Sequence, residues 1–257
     1  FDDDNDFYVD CADVDCFEDD ACAGETDGWT SVSASYFHSC GSDQDGHVQC
    51  WGDGSDGRTS PPTGTFQSVS IGIGHGCGID TSGEIQCWGA DTWGQASPPA
   101  GTFQSVSAGD MHSCGIDSGG GVQCWGSDAT GQASPPSGSF ASVSSGWYHS
   151  CGIRTDGELI CWGGTAHAGS LSYYAPPSPP AGTFESVSSG YEFTCALDTS
   201  GSLHCWGNSW EGKTTPPMGS FESLSSGVYH SCALDADGGM HCWGSDSHGQ
   251  TSPPGGS

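Results

Sequence analysis

Basic residues are nearly absent. Arg58, Arg154 and Lys213 are the only lysines or arginines among 257 residues, against 32 Asp and Glu, for a net charge of −29. Binding a phosphate backbone needs Lys and Arg, so nucleic acid is excluded as a partner, and anionic membranes are poor partners for the same reason. Long apolar runs are lacking as well. None approaches the ~20 residues of a membrane span, so no membrane insertion is expected. The start at Phe1 rather than Met, without a recognisable signal peptide, reads as that of a mature or trimmed product. Asn5 and Asn208 both lack the downstream hydroxyl of an N-glycosylation site. The chain also has no Gly-x-Ser-x-Gly elbow, phosphate loop or His-Glu-x-x-His zinc motif. The expectation is therefore a protein that is not an enzyme, with a lyase or hydrolase the least favoured reading.

Cysteine, in contrast, is abundant and regular. Twelve of the 15 form pairs ten residues apart, each closed by Trp-Gly: Cys40/Cys50, Cys77/Cys87, Cys114/Cys124, Cys151/Cys161, Cys195/Cys205 and Cys232/Cys242. Six residues after each first cysteine stands a glycine, as at Gly83 and Gly120. A three-residue hairpin loop favours glycine at its last position, where φ is positive. With Thr81, Ser82 and Gly83 in the loop, Asp80 pairs with Glu84, Ile79 with Ile85, and Cys77 faces Cys87. Opposed residues on antiparallel strands have Cβ atoms ~4.5–5.5 Å apart, close enough for a modest twist to close a disulfide. Six within-repeat bridges follow, and with them an oxidising location, extracellular or at the cell surface.

The pairs belong to six repeats that begin at Trp29. Each opens with an aromatic (Trp29, Phe66, Phe103, Phe140, Phe184, Phe221) and x-S-[VL]-S, which reads as a half-buried strand. A glycine bend, usually His-Ser-Cys, the hairpin, Trp-Gly and a turn with Pro-Pro complete the unit. The period is 37 residues, stretched to 44 in the fourth repeat by an insertion around residues 163–180. Short strands, no helical periodicity and abundant Gly and Pro point to an all-β propeller of six blades. Seven blades, one completed by another chain, is the alternative. The Gly-x-x-His-Ser-Cys-Gly, Asp-Gly and Cys-Trp-Gly-x-x-x-x-Gly-Gln elements resemble repeats of the regulator of chromosome condensation propeller family, in the style of its bacterial, secreted, disulfide-containing members. That resemblance implies a propeller from residue 29 to residue 257. The family's best-known members have seven blades, and this chain departs from them.

Residues 1–28 form a separate acidic segment with twelve acids and no base. Asp2, Asp4, Asp6, Asp10 and Asp13 fall at positions 1, 3, 5, 9 and 12 of a calcium loop, with the Tyr8 carbonyl at position 7. Calcium takes six to eight hard oxygen ligands in flexible geometry, which suits this set. Phe7 replaces the usual glycine. The segment also resembles the calcium motifs of thrombospondin-like repeats, so calcium is the expected cofactor. Cys11, Cys16 and Cys22 make the cysteine count odd. Two can bridge locally, leaving one free or joined to another molecule.

The recurring histidines (His38, His75, His112, His149, His230) and the Trp-Gly tryptophans read as structural, since Phe193 replaces one histidine without breaking the repeat. Trp93, Trp147 and Trp210 break the pattern. With Leu171, Tyr173 and Tyr174 of the insertion, Trp147 makes the candidate binding face. Ser97, Ser134 and Ser252 beside the Pro-Pro steps are candidates for O-linked sugars, or simply turn formers. The leading functional reading is a secreted structural or adhesive propeller. It associates with further copies, in a fibre or coat, through residues 1–28. A soluble propeller that binds a surface protein or a glycan is the alternative.

Overall fold

The computed structural model describes residues 28–164 and 178–253. The calcium ligands Asp2, Asp4, Asp6, Tyr8, Asp10 and Asp13, the cysteines Cys11, Cys16 and Cys22, and Leu171, Tyr173 and Tyr174 lie outside the described residues. Within them the fold is all-β, with six antiparallel three-stranded sheets, one per repeat, each ordered inner, middle, outer. The inner strands are Ser31–Ala34, Phe66–Ile71, Phe103–Ala108, Phe140–Ser145, Phe184–Ser189 and Phe221–Ser226. The middle strands start at the recurring histidine or its substitute Phe193, and the outer strands end at Trp-Gly.

The hairpin between middle and outer strands has the register that its glycine requires. Ile79 pairs with Ile85 and Cys77 with Cys87. The Asp80 N–H donates to the Glu84 carbonyl and the Gly83 N–H to the Asp80 carbonyl, both at 3.0 Å. Gly83 sits at φ +86°, where an L side chain is strained.

All six expected bridges are present, each joining a middle strand to its outer strand. Cys40–Cys50, Cys77–Cys87, Cys114–Cys124 and Cys151–Cys161 have Cα atoms 4.0 Å apart. Cys195–Cys205 and Cys232–Cys242 have them 4.1 Å apart. Spacing alone treats the two halves of a bridge as equivalent, and burial separates them. The middle-strand partners Cys40, Cys77, Cys114, Cys151 and Cys195 are fully buried. The outer-strand partners Cys50, Cys87, Cys124, Cys161, Cys205 and Cys242 are only half-buried, because they stand nearer the rim of each blade. Cys232 departs from its counterparts and is half-buried too, so both sulfurs of the last bridge lack full cover.

Each inner strand of blades 2 to 6 carries a register shift just after its phenylalanine, as between Phe103 and Ser105. The extra residue breaks the two-residue alternation, so Phe103 and Val106 share one face. That face meets the preceding blade, where Cys77, Ile79 and Ile85 pack against Phe103 and Trp125. The residue after each first cysteine must be small for this. A Cβ added at Gly115 would lie 2.9 Å from the Phe103 ring. In blades 5 and 6 Ala196 and Ala233 occupy that place. The core is thus a series of five seams between successive blades.

Polar groups lock the seams. His75 Nε2 meets Ser113 Oγ of the next blade at 2.7 Å, His112 meets Ser150 at 2.7 Å, and His149 meets Thr194 at 2.7 Å. The indole N–H of Trp125 donates to the Gln95 carbonyl, in the loop arriving from the previous blade, and Ser113 donates to the same oxygen. Along the channel, the Ala108 N–H donates to Ser70 Oγ and the Ser145 N–H to Ser107 Oγ, again one blade back.

Candidate functional site: uncovered blade faces and the channel mouth

The seam pattern stops between blade 6 and blade 1, whose strands do not pack together as neighbouring blades do. On blade 6, the face that should meet a following blade leaves Leu234 38% and Met240 52% exposed. Ile116 and Leu197, the counterparts of Leu234, and Ile85 and Leu159, the counterparts of Met240, are buried. The thinner cover over Cys232 has the same origin. On blade 1, the face that should meet a preceding blade leaves Trp29 55%, Val32 69% and Trp51 45% exposed. Trp125, Trp162 and Trp243, at the position of Trp51, are buried. Trp29 does not enter the inner strand. It rests on Trp51, with ring centroids 5.9 Å apart, and covers Gly41. The blade-anchor role read for the Trp-Gly tryptophans therefore holds fully for Trp88, Trp125, Trp162 and Trp243, Trp206 packs half-buried against the preceding blade, and Trp51 is the departure.

Hydrogen-bonding groups are uncovered along with the apolar ones. Gln250 corresponds to Gln95 and Gln132, whose carbonyls receive an indole N–H from the following blade. Among the described residues no indole meets Gln250, and no next-blade hydroxyl meets His230. The two faces flank an open cleft, with aromatic rings on one side and aliphatic and thioether groups on the other.

The cleft leads into a central channel of about 590 Å³. Its walls are the inner-strand serines, such as Ser70, Ser144 and Ser188, and one mouth is ringed by the bends between inner and middle strands. The first variable residue of each bend reaches this mouth: Tyr36, Ile73, Asp110, Trp147, Tyr191 and Val228. Trp147 thus belongs to the channel mouth. Its ring stacks on Tyr148 at 5.9 Å and meets the Tyr191 ring at 4.3 Å, and Tyr191 meets Tyr229 at 5.6 Å. Burial pushes the Asp110 carboxyl up to about 6. Asp110 Oδ2 and Trp147 Nε1 are both buried with no hydrogen-bond partner among the described residues.

Sequence reasoning singled out Trp147 and missed Asp110, Tyr191 and Tyr229. A usable signal was present. In a repeat where almost every position recurs, the residue pair at the bend before the histidine is different in each unit. Trp93 and Trp210 are exposed on the outer loops. The hydroxyls of Ser97, Ser134 and Ser252 hold Asp91, Asp128 and Asp246 within their turns. His75, His112 and His149 are seam latches, whereas His38 and His230 meet no next-blade hydroxyl among the described residues; among those residues no group of three metal-ligating side chains exists.

The three cations are all engaged internally. Arg58 lies over the Phe37 ring at 5.3 Å and Arg154 over Phe140 at 5.2 Å. Buried Lys213 has its ammonium 5.5–5.8 Å from Tyr191, Phe193 and Tyr229. Few cations are left to offset the acidic surface.

The "Regulator of chromosome condensation (RCC1) repeat" model matches residues 29–58, 103–132, 140–167, 184–211 and 221–250. The chain belongs to the RCC1-repeat family. No curated protein matches it in sequence. Among solved structures, the ectodomain of the Physcomitrella patens receptor kinase CR4 is 27% identical with a TM-score of 0.69, over 83% of this chain and 61% of that one. The chain therefore spans less than two thirds of that ectodomain. The CRINKLY WD40 ectodomain of the Arabidopsis thaliana receptor kinase ACR4 is 26% identical with a TM-score of 0.70, over 84% and 80%. Yeast RCC1 (Prp20), solved bound to Kap60, shares the fold at 15% identity and a TM-score of 0.71, over 85% and 70%. The ectodomain likeness and the six disulfides support an extracellular or binding propeller as the general class.

Proposed function

We propose that this protein is a cell-surface or extracellular structural propeller that joins to further copies of itself through its N-terminal segment. The observation that carries the reading is the pair of uncovered apolar faces on blades 1 and 6. Exposed aromatic and aliphatic groups flanking one cleft are unusual on a soluble monomer and mark a place where another chain packs. The occupant is the segment 1–28 of a neighbouring copy. It carries Phe1, Phe7, Tyr8, Val9 and Phe17 among its acids, apolar groups that the cleft can bury.

Two highly acidic surfaces repel one another, so the join needs a counter-charge. Calcium held by Asp2, Asp4, Asp6, Asp10, Asp13 and the Tyr8 carbonyl supplies it. One of Cys11, Cys16 and Cys22 is left over for a covalent link between copies. Such a head-to-tail contact is heterologous and generates open filaments when its rotation does not close. Light scattering, negative-stain imaging and non-reducing gels of the full chain, with calcium or with chelator, test this. Calcium-dependent multimers that vanish when residues 1–28 are deleted are expected. A monodisperse, unlinked monomer in calcium would sink the proposal.

A further inference from the structure

The channel mouth is a second place where chemistry is left incomplete, and it does not depend on self-association. Two buried polar atoms, one of each hydrogen-bonding sense, have no partner among the described residues: the acceptor Asp110 Oδ2 and the donor Trp147 Nε1. They occupy equivalent bend positions on adjacent blades and line the same channel. A carboxylate oxygen and an indole N–H buried without partners are each costly, so the site favours a ligand that brings both a cation and an acceptor.

The surroundings narrow the ligand class. The faces of aromatic rings attract cations, and the mouth presents Tyr36, Trp147, Tyr191 and Tyr229. Tyr191 and Tyr229 are already committed to the ammonium of Lys213. Trp147 and Tyr36 face none of the chain's three cations, because the other two sit over Phe37 and Phe140. The net charge of −29 draws cations toward the molecule and repels anionic ligands. The volume of about 590 Å³ admits an extended basic side chain with its flanking backbone.

We propose that this mouth binds the guanidinium or ammonium side chain of a basic peptide, with Asp110 as its counter-ion, Trp147 as its ring face, and the peptide carbonyl accepting from Trp147 Nε1. The probe is tri-arginine amide, titrated calorimetrically into the full chain at physiological salt, with cellotriose as a neutral probe. Asp110→Asn and Trp147→Ala should each weaken tri-arginine binding tenfold or more, and Trp147→Phe, which keeps a ring face but loses the Nε1 donor, by an intermediate factor of about five. Asp237→Asn, which removes an exposed carboxylate on the outer loop of blade 6, should leave affinity unchanged. Thermal melts establish that each variant is folded, and Asp110→Asn carries the test if the alanine variant is not. Binding equal to wild type in Asp110→Asn would overturn the assignment, since general acidity would then hold the peptide. Equal or tighter binding of cellotriose would overturn it too, in favour of a carbohydrate site.

Discussion

A single histidine shows how a seam is made and what it does to stability. Ser113 donates its hydroxyl proton to the Gln95 carbonyl, so it can only accept from His75. His75 therefore carries its proton on Nε2, and its buried Nδ1 has no partner among the described residues. A second proton would place a charge in an apolar seam. Burial accordingly lowers the pKa of His75 to about 4, of His112 to about 3 and of His149 to about 4. His38 is also lowered to about 4, by burial and by Arg58. It has no hydroxyl to meet, because Gly76 stands where the other repeats have Ser or Thr. The sign follows directly. Below the unfolded value near 6.5 the unfolded chain takes up protons that the folded chain refuses, so stability falls from pH 6.5 toward about pH 4. Each histidine contributes at most about 1.4 kcal/mol per pH unit in that window. Asp110, raised to about 6, works in the opposite sense: its contribution is present at low pH and lost as pH rises through 6. With several histidines against one carboxyl, a net loss on acidification is expected in urea melts. His112→Phe, which copies the natural Phe193, should cost about 1 kcal/mol at pH 7 and visibly less at pH 5.

The element that repeats is the bridged hairpin, and its parts answer to separate tests. One aspartate organises the loop in every blade but the fourth, where Arg154 takes its place: Asp117 Oδ1 accepts from the Gly119 and Gly121 N–H groups, and Oδ2 from the Gln123 amide. In blades 5 and 6 a histidine takes the place of that amide, with His204 on Asp198 and His241 on Asp235 at 2.7 Å. These bonds hold the aspartates below their ordinary pKa, led by the Gln123 side chain for Asp117 and the His241 side chain for Asp235. Their stabilisation is present above the unfolded carboxylate value and lost as pH falls through the folded one, a second acid phase beneath the histidine phase. Removing one bridge, with Cys114→Ser and Cys124→Ser together, should lower unfolding free energy by about 3 kcal/mol in urea titration. Gly115→Val should destabilise by roughly 2 kcal/mol, because the added carbons meet the Phe103 ring and the Ser105 carbonyl. The register of this element was legible in the sequence: the glycine spacing set the turn, and the turn set the cysteine pairing. The role of Gln86, Gln123, His204 and His241, each just before a second cysteine, was not legible, because Gln and His look unrelated until their shared kind of aspartate partner is seen.

At the scale of the whole molecule the decisive feature is a row of seams that stops. Blades 2 to 5 are covered on both faces, whereas blades 1 and 6 are each covered on one. Trp125→Ala should therefore cost about 3–5 kcal/mol, and Trp51→Ala markedly less when the protein is monomeric. Hydrogen exchange should show the inner strand Ser31–Ala34 opening well before Phe103–Ala108, since few buried contacts hold it. Occupation of the cleft would raise its protection. Counting repeats gave six blades correctly, and it gave no sign of uncovered faces. Whether the last blade reaches the first depends on the rotation accumulated across five seams, and no residue pair in the sequence encodes that sum.

The sequence by itself determined the repeat, the hairpin register, the six disulfides and the propeller class. All of these rest on local spacing, on glycine's tolerance of positive φ, and on partners within about a dozen residues of one another. Tertiary structure alone decided which equivalent residues are buried and which are left bare. It made Trp125 an anchor and Trp51 an exposed surface, and it gathered Asp110 and Trp147 from separate blades into one mouth. The physical reason is that burial belongs to the space between blades, and that space exists only once the blades are set side by side.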